Sequence, residues 1–307
     1  MNPAVALIIA NIIWGAGSPI FKIALTNVPP FLFVFLRFFV AALLILPFVL
    51  KEKSKIRLSD FGDLFIAGIF GVTLRISTYF LGLQRTQSIN SPIISSASPV
   101  FLFFLAVIFL KEKINLKVFY GMLISLGGVM VIVLAPIFRS GGIGLEQTDK
   151  SVEGNILFIL AAIFGLIAVL LHKKLLDKIG PYTVAFWSFI LGSLPLLPLV
   201  INELKTWSFA DLNFYGAFGL IYGIFLNTAL AYALYYFGMS KIKAQEVGTF
   251  FYVDPVIAIL IAAPLLGEIP DKFFVIGTFL VFIGIYMSEG RIPWHPFHKL
   301  KRIGKTY

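Results

Sequence analysis

The chain has 307 residues, of which 59% are hydrophobic and 13% are charged, and its formal net charge is +10. A soluble domain is about 45–50% apolar and about 25% charged, so a chain this apolar needs lipid as part of its solvent. A charge of +10 would suggest a nucleic-acid partner in a soluble protein, but here we assign it to membrane topology and expect no nucleic-acid binding. The absence of cysteine excludes disulfides and thiolate metal sites.

Ten apolar segments along the chain are long enough to cross a bilayer. A spanning helix needs about 20 mostly apolar residues, and clusters of polar or helix-breaking residues separate the ten segments. The first segment has no basic leader and no small-residue cleavage site, so we interpret it as a retained helix. The predicted spans are roughly 3–25, 30–50, 61–83, 89–110, 116–137, 154–172, 181–201, 212–238, 245–266 and 272–289.

The lysine and arginine residues between the spans are distributed unequally between the two sides of the membrane. If the N-terminus is cytoplasmic, the inner segments hold 17 of these residues and the outer segments hold five. Cytoplasmic loops carry an excess of Lys and Arg. The pattern therefore predicts a multi-pass protein of the cell membrane, inner or plasma, with both termini in the cytoplasm. Three cations remain inside spans: Lys22, Arg37 and Arg75.

The chain divides into two halves of five spans each. Residues 139–153 are rich in glycine and polar residues and are predicted to be a linker between a first repeat, 1–138, and a second repeat, 154–290, with a basic tail at 291–307. Since five is odd, the second half enters the membrane from the opposite side, as in alternating-access transporters. We therefore expect an all-α integral membrane protein with a 5+5 inverted-topology repeat around a central cavity. The two halves overlay when residue numbers are shifted by 156, and we call this offset the repeat shift. It places Tyr79 on Tyr235, Gly82 on Gly238, Pro99 on Pro255, Glu112 on Glu268, Gly121 on Gly277 and Gly128 on Gly284.

Several of these segments resemble a known transporter family. They are the first-span NIIWGAGSPIFKIAL, the second-span PPFLFVFLRFFVAALLILP, and the paired SPVFLFFLAVIFLKEKI and DPVIAILIAAPLLGEIP. The whole chain resembles the EamA family of the drug/metabolite transporter superfamily. The resemblance implies ten helices in an inverted repeat and transport of small metabolites, often amino acid export. Two positions depart from the family pattern: Arg75 replaces a small or apolar residue, and Asp254 stands where a serine is common.

The charges inside the spans are the principal candidates for a substrate site, because a charge in the middle of a membrane is costly. Lys22, Arg37 and Arg75 are predicted at similar depths in the outer half of the membrane, on three helices of the first repeat. Asp254, near the middle of span 9, is the only deeply placed carboxylate. One acid against three cations leaves an excess of positive potential, which a carboxylate or phosphate on a substrate would relieve.

Each of these charges also has a structural interpretation, which the sequence leaves open. Lys22 can complement the end of its helix and extend its amino group outward. Arg37 can bind backbone carbonyls, and Arg75 can form a packing pair with Asp254. Asp254 can alternatively carry a proton that couples transport to a pH gradient, since desolvation and nearby cations shift a carboxyl pKa in opposite directions.

Polar and aromatic residues at helical spacing complete the predicted cavity. Trp14 lies on the face of span 1 that carries Lys22, and Tyr79 shares a face of span 3 with Arg75. Span 8 contributes Asn227, Tyr232 and Tyr235. We interpret His172 as an interfacial residue. The predicted cap or gate residues at span ends are Glu112 and Glu268.

The sequence contains no Walker-type phosphate loop, no HExxH and no GxSxG motif. We therefore expect a secondary transporter with no cofactor, metal or catalytic residue, and not an enzyme. Its partners are a small-molecule substrate and the lipid bilayer, and a homodimer is left open. The predicted cargo is a small anionic or zwitterionic metabolite, an amino acid or related compound, moved outward by alternating access. The alternative is a membrane-embedded enzyme, or a carrier of a phosphorylated, nucleotide-sugar or lipid-linked substrate.

Overall fold

The computed structural model describes residues 2–54, 56–98, 116–140, 146–241 and 248–289. Over these ranges the regular structure is helical, with no strand. The helices, numbered in chain order, are α1 (Pro3–Ala24), α2 (Pro30–Glu52), α3 (Asp60–Arg85), α4 (Asn90–Ser96), α5 (Leu116–Ser140), α6 (Glu146–Leu176), α7 (Pro181–Glu203), α8 (Phe214–Lys241), α9 (Val253–Leu266) and α10 (Lys272–Glu289).

Seven helices are long and apolar enough to cross a membrane: α1, α2, α3, α5, α6, α7 and α8. The stretches 250–266 and 272–287 are shorter apolar helices. This pattern confirms an integral membrane helical protein, whereas the ten-span arrangement stays a prediction. Most of the predicted fourth span, the predicted gate residue Glu112 and the tail at 291–307 lie outside the described residues.

Local sequence explains where several helices begin. Asn2 accepts a hydrogen bond from the backbone N–H of Ala4 at 2.9 Å and so caps α1. Proline occupies the first position of α2 and of α7, where the missing N–H has no cost. Helix α6 begins at Glu146 and α5 ends at Ser140, so much of the predicted linker is helical.

The main helix packing joins one half of the chain to the other. Helix α1 packs against α8 and α9, and α6 packs against α3 and α4. Helix α2 packs along α7, and α5 forms the most extensive helix pair with α10. In each pair one helix precedes residue 141 and the other follows residue 145. One large hydrophobic core therefore contains residues from both halves.

Glycines permit the close crossing of α5 and α10. A Cβ on Gly128 would lie 2.6 Å from the carbonyl oxygen of Gly277, and a Cβ on Gly284 would meet the carbonyl oxygen of Gly121. These four glycines are pairs related by the repeat shift, and each contact is the counterpart of the other. Small residues let membrane helices approach until their backbones touch.

A second pair of contacts shows the same reciprocity. A Cβ on Gly82 of α3 would lie 2.8 Å from the ring of Phe158 on α6, and a Cβ on Gly238 of α8 would lie 2.6 Å from Leu7 on α1. Gly82 and Gly238 are related by the repeat shift, and Leu7 and Phe158 lie on the first helix of their respective halves. The packing of α3 on α6 is thus matched by the packing of α8 on α1.

Candidate functional site

Two helices change their hydrogen-bonding pattern part-way along their length. Helix α3 has a π-helical segment at Ile69–Leu74, and α8 has one at Tyr222–Leu230. The repeat shift places the first segment inside the second. Such π segments are rare and are frequent at functional sites. Most of the predicted site residues on these two helices lie within or just after the π segments.

Arg75 follows the π segment of α3 and is partly buried. Its side chain lies against α6, where a Cβ added to Gly165 would be 2.9 Å from the guanidinium Nε. Among the described residues its guanidinium forms no hydrogen bond and no ion pair. Glycine at position 165 makes the room that Arg75 occupies.

Asp254 lies in the first turn of α9. Its Oδ1 atom is buried and has no hydrogen-bond partner. Its backbone packs closely on α1, since a Cβ on Gly15 would lie 2.7 Å from the Asp254 carbonyl oxygen. Arg75 and Asp254 interact electrostatically but form no ion pair. The packing pair considered as an alternative is therefore absent.

An aromatic cluster lies in the same region. The ring of Trp14 lies 5.0 Å from that of Tyr232 and 4.9 Å from that of Tyr235, between ring centroids. The indole Nε1 of Trp14 donates to the backbone oxygen of Asn227 at 3.0 Å. The hydroxyl of Tyr235 is buried without a hydrogen-bond partner, which makes it available to a ligand. Tyr232 also packs against Phe38, and both tyrosines belong to the hydrophobic core.

Tyr79 lies one turn beyond Arg75 on α3. Its hydroxyl shares a 2.8 Å hydrogen bond with the hydroxyl of Ser18 on α1. Arg75 acts electrostatically on both Tyr79 and Tyr235. The predicted residues Trp14, Arg75, Tyr79, Tyr235 and Asp254 thus surround one region, contributed by α1, α3, α8 and α9.

Arg37 has a different environment, in which its donors are occupied. The residue is 2% exposed, and its guanidinium donates to Thr228 Oγ1 at 2.5 Å and to Asn227 Oδ1 at 2.6 Å. The guanidinium carbon lies 4.7 Å from the ring centre of Phe21 and 4.9 Å from that of Phe38, so cation–π attraction adds to these bonds. The acceptors are side chains of the α8 π segment, rather than the backbone carbonyls that sequence reasoning considered.

Asn227 connects three helices. Its side-chain oxygen binds Arg37 of α2, and its side-chain nitrogen donates to the carbonyl oxygen of Ile13 in α1 at 3.1 Å. Its own carbonyl accepts from Trp14. Asn227 therefore positions Arg37 and Trp14, and both polar atoms of its side-chain amide have a hydrogen-bond partner.

Lys22 is paired at one end of the helix bundle, which we call the Lys22 end. Its amino group lies 2.7 Å from Oε1 of Glu268 and also donates to the carbonyl oxygen of Thr86. The other oxygen of Glu268 accepts from the N–H of Ser88 at 2.8 Å and from its hydroxyl at 2.7 Å. Glu268 thus links α1, the α3–α4 connection and the α9–α10 connection. A residue that closes a gate would make contacts of this kind.

His172 was not among the predicted site residues, and its interpretation as an interfacial residue is wrong. It is 5% exposed, and its Nε2 lies 3.1 Å from the hydroxyl of Ser188. The hydroxyl of Tyr236 lies 3.3 Å from both ring nitrogens. The neighbouring lysines suggested an interface, but helical spacing from Gly165 placed His172 on the inward face of α6.

The sequence model of the EamA-like transporter family matches residues 1–134 and 152–289. The chain belongs to the EamA-like transporter family. It is 28% identical over 287 residues to an uncharacterized transporter of Archaeoglobus fulgidus, covering 94% of this chain and 98% of that protein. It is 28% identical over 292 residues to the uncharacterized transporter YetK of Bacillus subtilis, covering 94% of this chain and 87% of that protein.

A crystal structure with 17% sequence identity has the same fold. The TM-score is 0.64, and the match covers 95% of this chain and 99% of the other. Family membership and the apolar helices together make this EamA-like protein a multi-pass membrane transporter.

Proposed function

We propose that this transporter is a secondary carrier of a small zwitterionic metabolite, an amino acid or a close relative. Two halves of five helices, inverted relative to each other, would expose one site alternately to each side of the membrane. The proposed direction is efflux from a cytoplasm that holds both termini. The observation that carries the proposal is the presence of a guanidinium and a carboxyl group without ion-pair partners in one region, at Arg75 and Asp254.

Opposite charges within a membrane normally pair with each other. Because Arg75 and Asp254 do not, a cargo that carries both a cation and an anion can satisfy them together. The guanidinium of Arg75 can bind a carboxylate through two parallel hydrogen bonds. The buried Oδ1 of Asp254 can accept from an ammonium group. This arrangement favours a zwitterion over a simple anion.

The reciprocal helix contacts support the inverted arrangement of the halves. The contacts of Gly128 with Gly277 and of Gly284 with Gly121 exchange with each other under the repeat shift. A two-fold relation between identical patches produces contacts of this kind, in which residue i meets j and j meets i. Inward-facing and outward-facing states then have related geometry.

Three of the predicted site residues have supporting roles in this proposal. Arg37 and Asn227 shape the wall beside Trp14, and Arg37 adds positive potential without contacting the cargo. Lys22 belongs to the closure at the Lys22 end, where Glu268 holds it. Trp14, Tyr79 and Tyr235 pack against the cargo, and the free hydroxyl of Tyr235 hydrogen-bonds to it.

The test is counterflow in proteoliposomes that contain the purified protein. Labelled amino acids should accumulate inside proteoliposomes that are preloaded with the unlabelled form. The decarboxylated amines should not compete with this uptake. Arg75→Ala should reduce this exchange on the order of 100-fold, since losing a buried charged contact costs about 2–5 kcal/mol. Arg85→Ala is the matched control, because Arg85 lies on the same helix but pairs with Glu153 at the surface.

Three outcomes would contradict the proposal. Normal exchange by Arg75→Ala would remove the central role of this residue. Equal transport of amines and amino acids would exclude recognition of the carboxylate. The recovered cargo should also be chemically unchanged, since conversion would indicate an enzyme instead.

A further inference from the structure

Two carboxylates link α2 and α7 in a reciprocal manner. Glu52, the last residue of α2, accepts hydrogen bonds from the N–H of Tyr182 at 3.3 Å and from the N–H of Thr183 at 2.8 Å, at the start of α7. Glu203, the last residue of α7, accepts from the N–H of Phe31 at 3.1 Å and from the N–H of Leu32 at 2.6 Å, at the start of α2. The last residue of each helix therefore binds backbone N–H groups at the N-terminus of the other helix.

The two links are equivalent by sequence as well as by geometry. The offset in numbering from Pro30 to Pro181, the first residues of the two helices, also relates the two glutamates and both pairs of donors. The first N–H groups of a helix have no partner within it, and the helix dipole makes this end positive. A carboxylate placed there receives charge-assisted hydrogen bonds. We call these two arrangements the Glu52 clasp and the Glu203 clasp.

The clasps lie at opposite ends of the helix pair. Helix α2 has 23 residues, so it is about 34 Å long at 1.5 Å per residue. A tilt that separated α2 from α7 at either end would break both backbone hydrogen bonds of the clasp there. Both clasps are closed in the same structure, and the helices also pack along their length. This pair is therefore closed at both ends in this structure.

The Lys22 end contains an ion pair that is built from other helices. Lys22, Glu268 and Ser88 belong to α1, to the α9–α10 connection and to the α3–α4 connection. Among the described residues, none of the polar partners of Glu268 lies on α2 or α7. Opening at the Lys22 end can thus proceed by breaking the Lys22–Glu268 pair while both clasps stay intact.

We propose that the Glu52 and Glu203 clasps hold α2 and α7 as one unit that keeps its geometry while the Lys22 end opens and closes. This proposal rests on the alternating-access function proposed above and specifies which helices move. Because α2 and α7 come from different halves, the halves do not rock as two rigid bodies. The other helices move around the α2–α7 strut.

Nitroxide spin labels can test this directly, because the chain has no native cysteine. Dipolar broadening of EPR spectra would be measured for three cysteine pairs in lipid nanodiscs. The positions Phe48 and Tyr182 flank the Glu52 clasp, where their rings are 5.5 Å apart. The positions Phe31 and Leu199 are their equivalents at the Glu203 clasp. The exposed positions Thr26 and Ile269 report on the Lys22 end.

Each pair would be measured with and without Glu268→Gln, which weakens the ion pair with Lys22. We expect this variant to add a second, longer distance for the Thr26–Ile269 pair and to leave both α2–α7 pairs unchanged. A longer distance in either α2–α7 pair would overturn the proposal. An unchanged Thr26–Ile269 distance would also overturn it, because the opening is assigned to the Lys22–Glu268 pair.

A matched pair of variants tests the clasps themselves. Glu203→Ala should broaden the distance distribution of the Phe31–Leu199 pair and leave the Phe48–Tyr182 pair narrow, and Glu52→Ala should do the reverse. Narrow distributions at both ends in both variants would show that the carboxylates do not hold the helices. These measurements involve no cargo, so a failed transport assay would leave their result intact.

Discussion

Arg37 and Arg75 are two arginines at predicted membrane depth, on neighbouring helices, with opposite environments. Arg37 donates to Asn227 and Thr228 and lies over aromatic rings. Arg75 has no hydrogen-bond or ion-pair partner among the described residues. A buried cation with acceptors built around it stabilises the fold, whereas one left without acceptors is available to a ligand. The difference separates a structural charge from a candidate functional charge.

The largest expected contrast is between two substitutions that remove these charges. Arg37→Met leaves the acceptors on Asn227 and Thr228 unpaired, and each unsatisfied group costs about 1–3 kcal/mol, partly offset by the desolvation cost that disappears with the charge. We expect a net loss of about 2 kcal/mol and a lower melting temperature in detergent. Arg75→Met loses no such partner, so its melting temperature should be unchanged or higher.

Thermal unfolding followed by size-exclusion chromatography measures both variants side by side. A higher melting temperature for Arg37→Met, together with a lower one for Arg75→Met, would reverse the assignment of the two arginines. Thr228→Val sharpens the comparison further. It removes one acceptor of Arg37 and keeps the side-chain volume.

A smaller effect is expected from filling the space beside Arg75. In Gly165→Ala the new Cβ would lie 2.9 Å from Nε and 3.0 Å from Cδ of Arg75, so the arginine side chain must shift. A displaced guanidinium should lower the counterflow rate about tenfold, a change of about 1.4 kcal/mol, with little change in stability. Gly127→Ala is the control, since nothing lies within 4 Å of a Cβ at that glycine. Equal rates for the two alanine variants would indicate that the position of Arg75 does not matter.

The smallest effect belongs to a third kind of arginine, paired at the surface. Arg139 at the end of α5 forms an ion pair with Asp271, the residue before α10. Partial burial raises the pKa of Asp271, but the hydrogen bonds from Arg139 and from the N–H of Phe274 outweigh it and lower the pKa overall. The ion pair therefore stabilises the fold at pH values above the usual pKa range of a carboxyl group. This contribution is lost as the pH falls through the lowered pKa of Asp271.

Exposed ion pairs contribute about 0–1 kcal/mol. Arg139→Gln should therefore lower the melting temperature only slightly at neutral pH and not at all at a pH well below the lowered pKa. Added salt should reduce the difference at neutral pH. A loss as large as that of Arg37→Met would show that burial does not separate these arginines.

The sequence assigned these charges to apolar spans but did not identify their partners. Lys22, Arg37 and Arg75 formed one electropositive group in the sequence analysis, yet Lys22 pairs with Glu268, 246 residues away, and Arg37 with Asn227, 190 residues away. Periodicity defines the face of a helix, but it does not identify the neighbouring helix. Only the packing of α1 against α9 and of α2 against α8 distinguishes the paired cations from Arg75.

Composition and repetition were more informative about the fold. The apolar segments predicted the long helices, and the glycines related by the repeat shift, such as Gly128 and Gly284, lie at close helix crossings. The clasps of Glu52 and Glu203 were not predicted, because a glutamate at the end of an apolar span is ordinarily a solvated residue. The sequence signal that could have revealed the clasps is that Glu52 and Glu203 occupy equivalent positions in the two halves.

The central claim is that Arg75 and Asp254 bind opposite ends of one cargo, and ligand-induced thermal shifts test it most directly. Free amino acids, their methyl esters and their N-acetyl derivatives would be compared on the unmodified protein, Arg75→Gln and Asp254→Asn. The unmodified protein should bind the free form at least about tenfold more tightly than either derivative. Arg75→Gln should lose the preference over the ester, and Asp254→Asn should lose the preference over the N-acetyl form. Retention of both preferences in both variants would contradict the account.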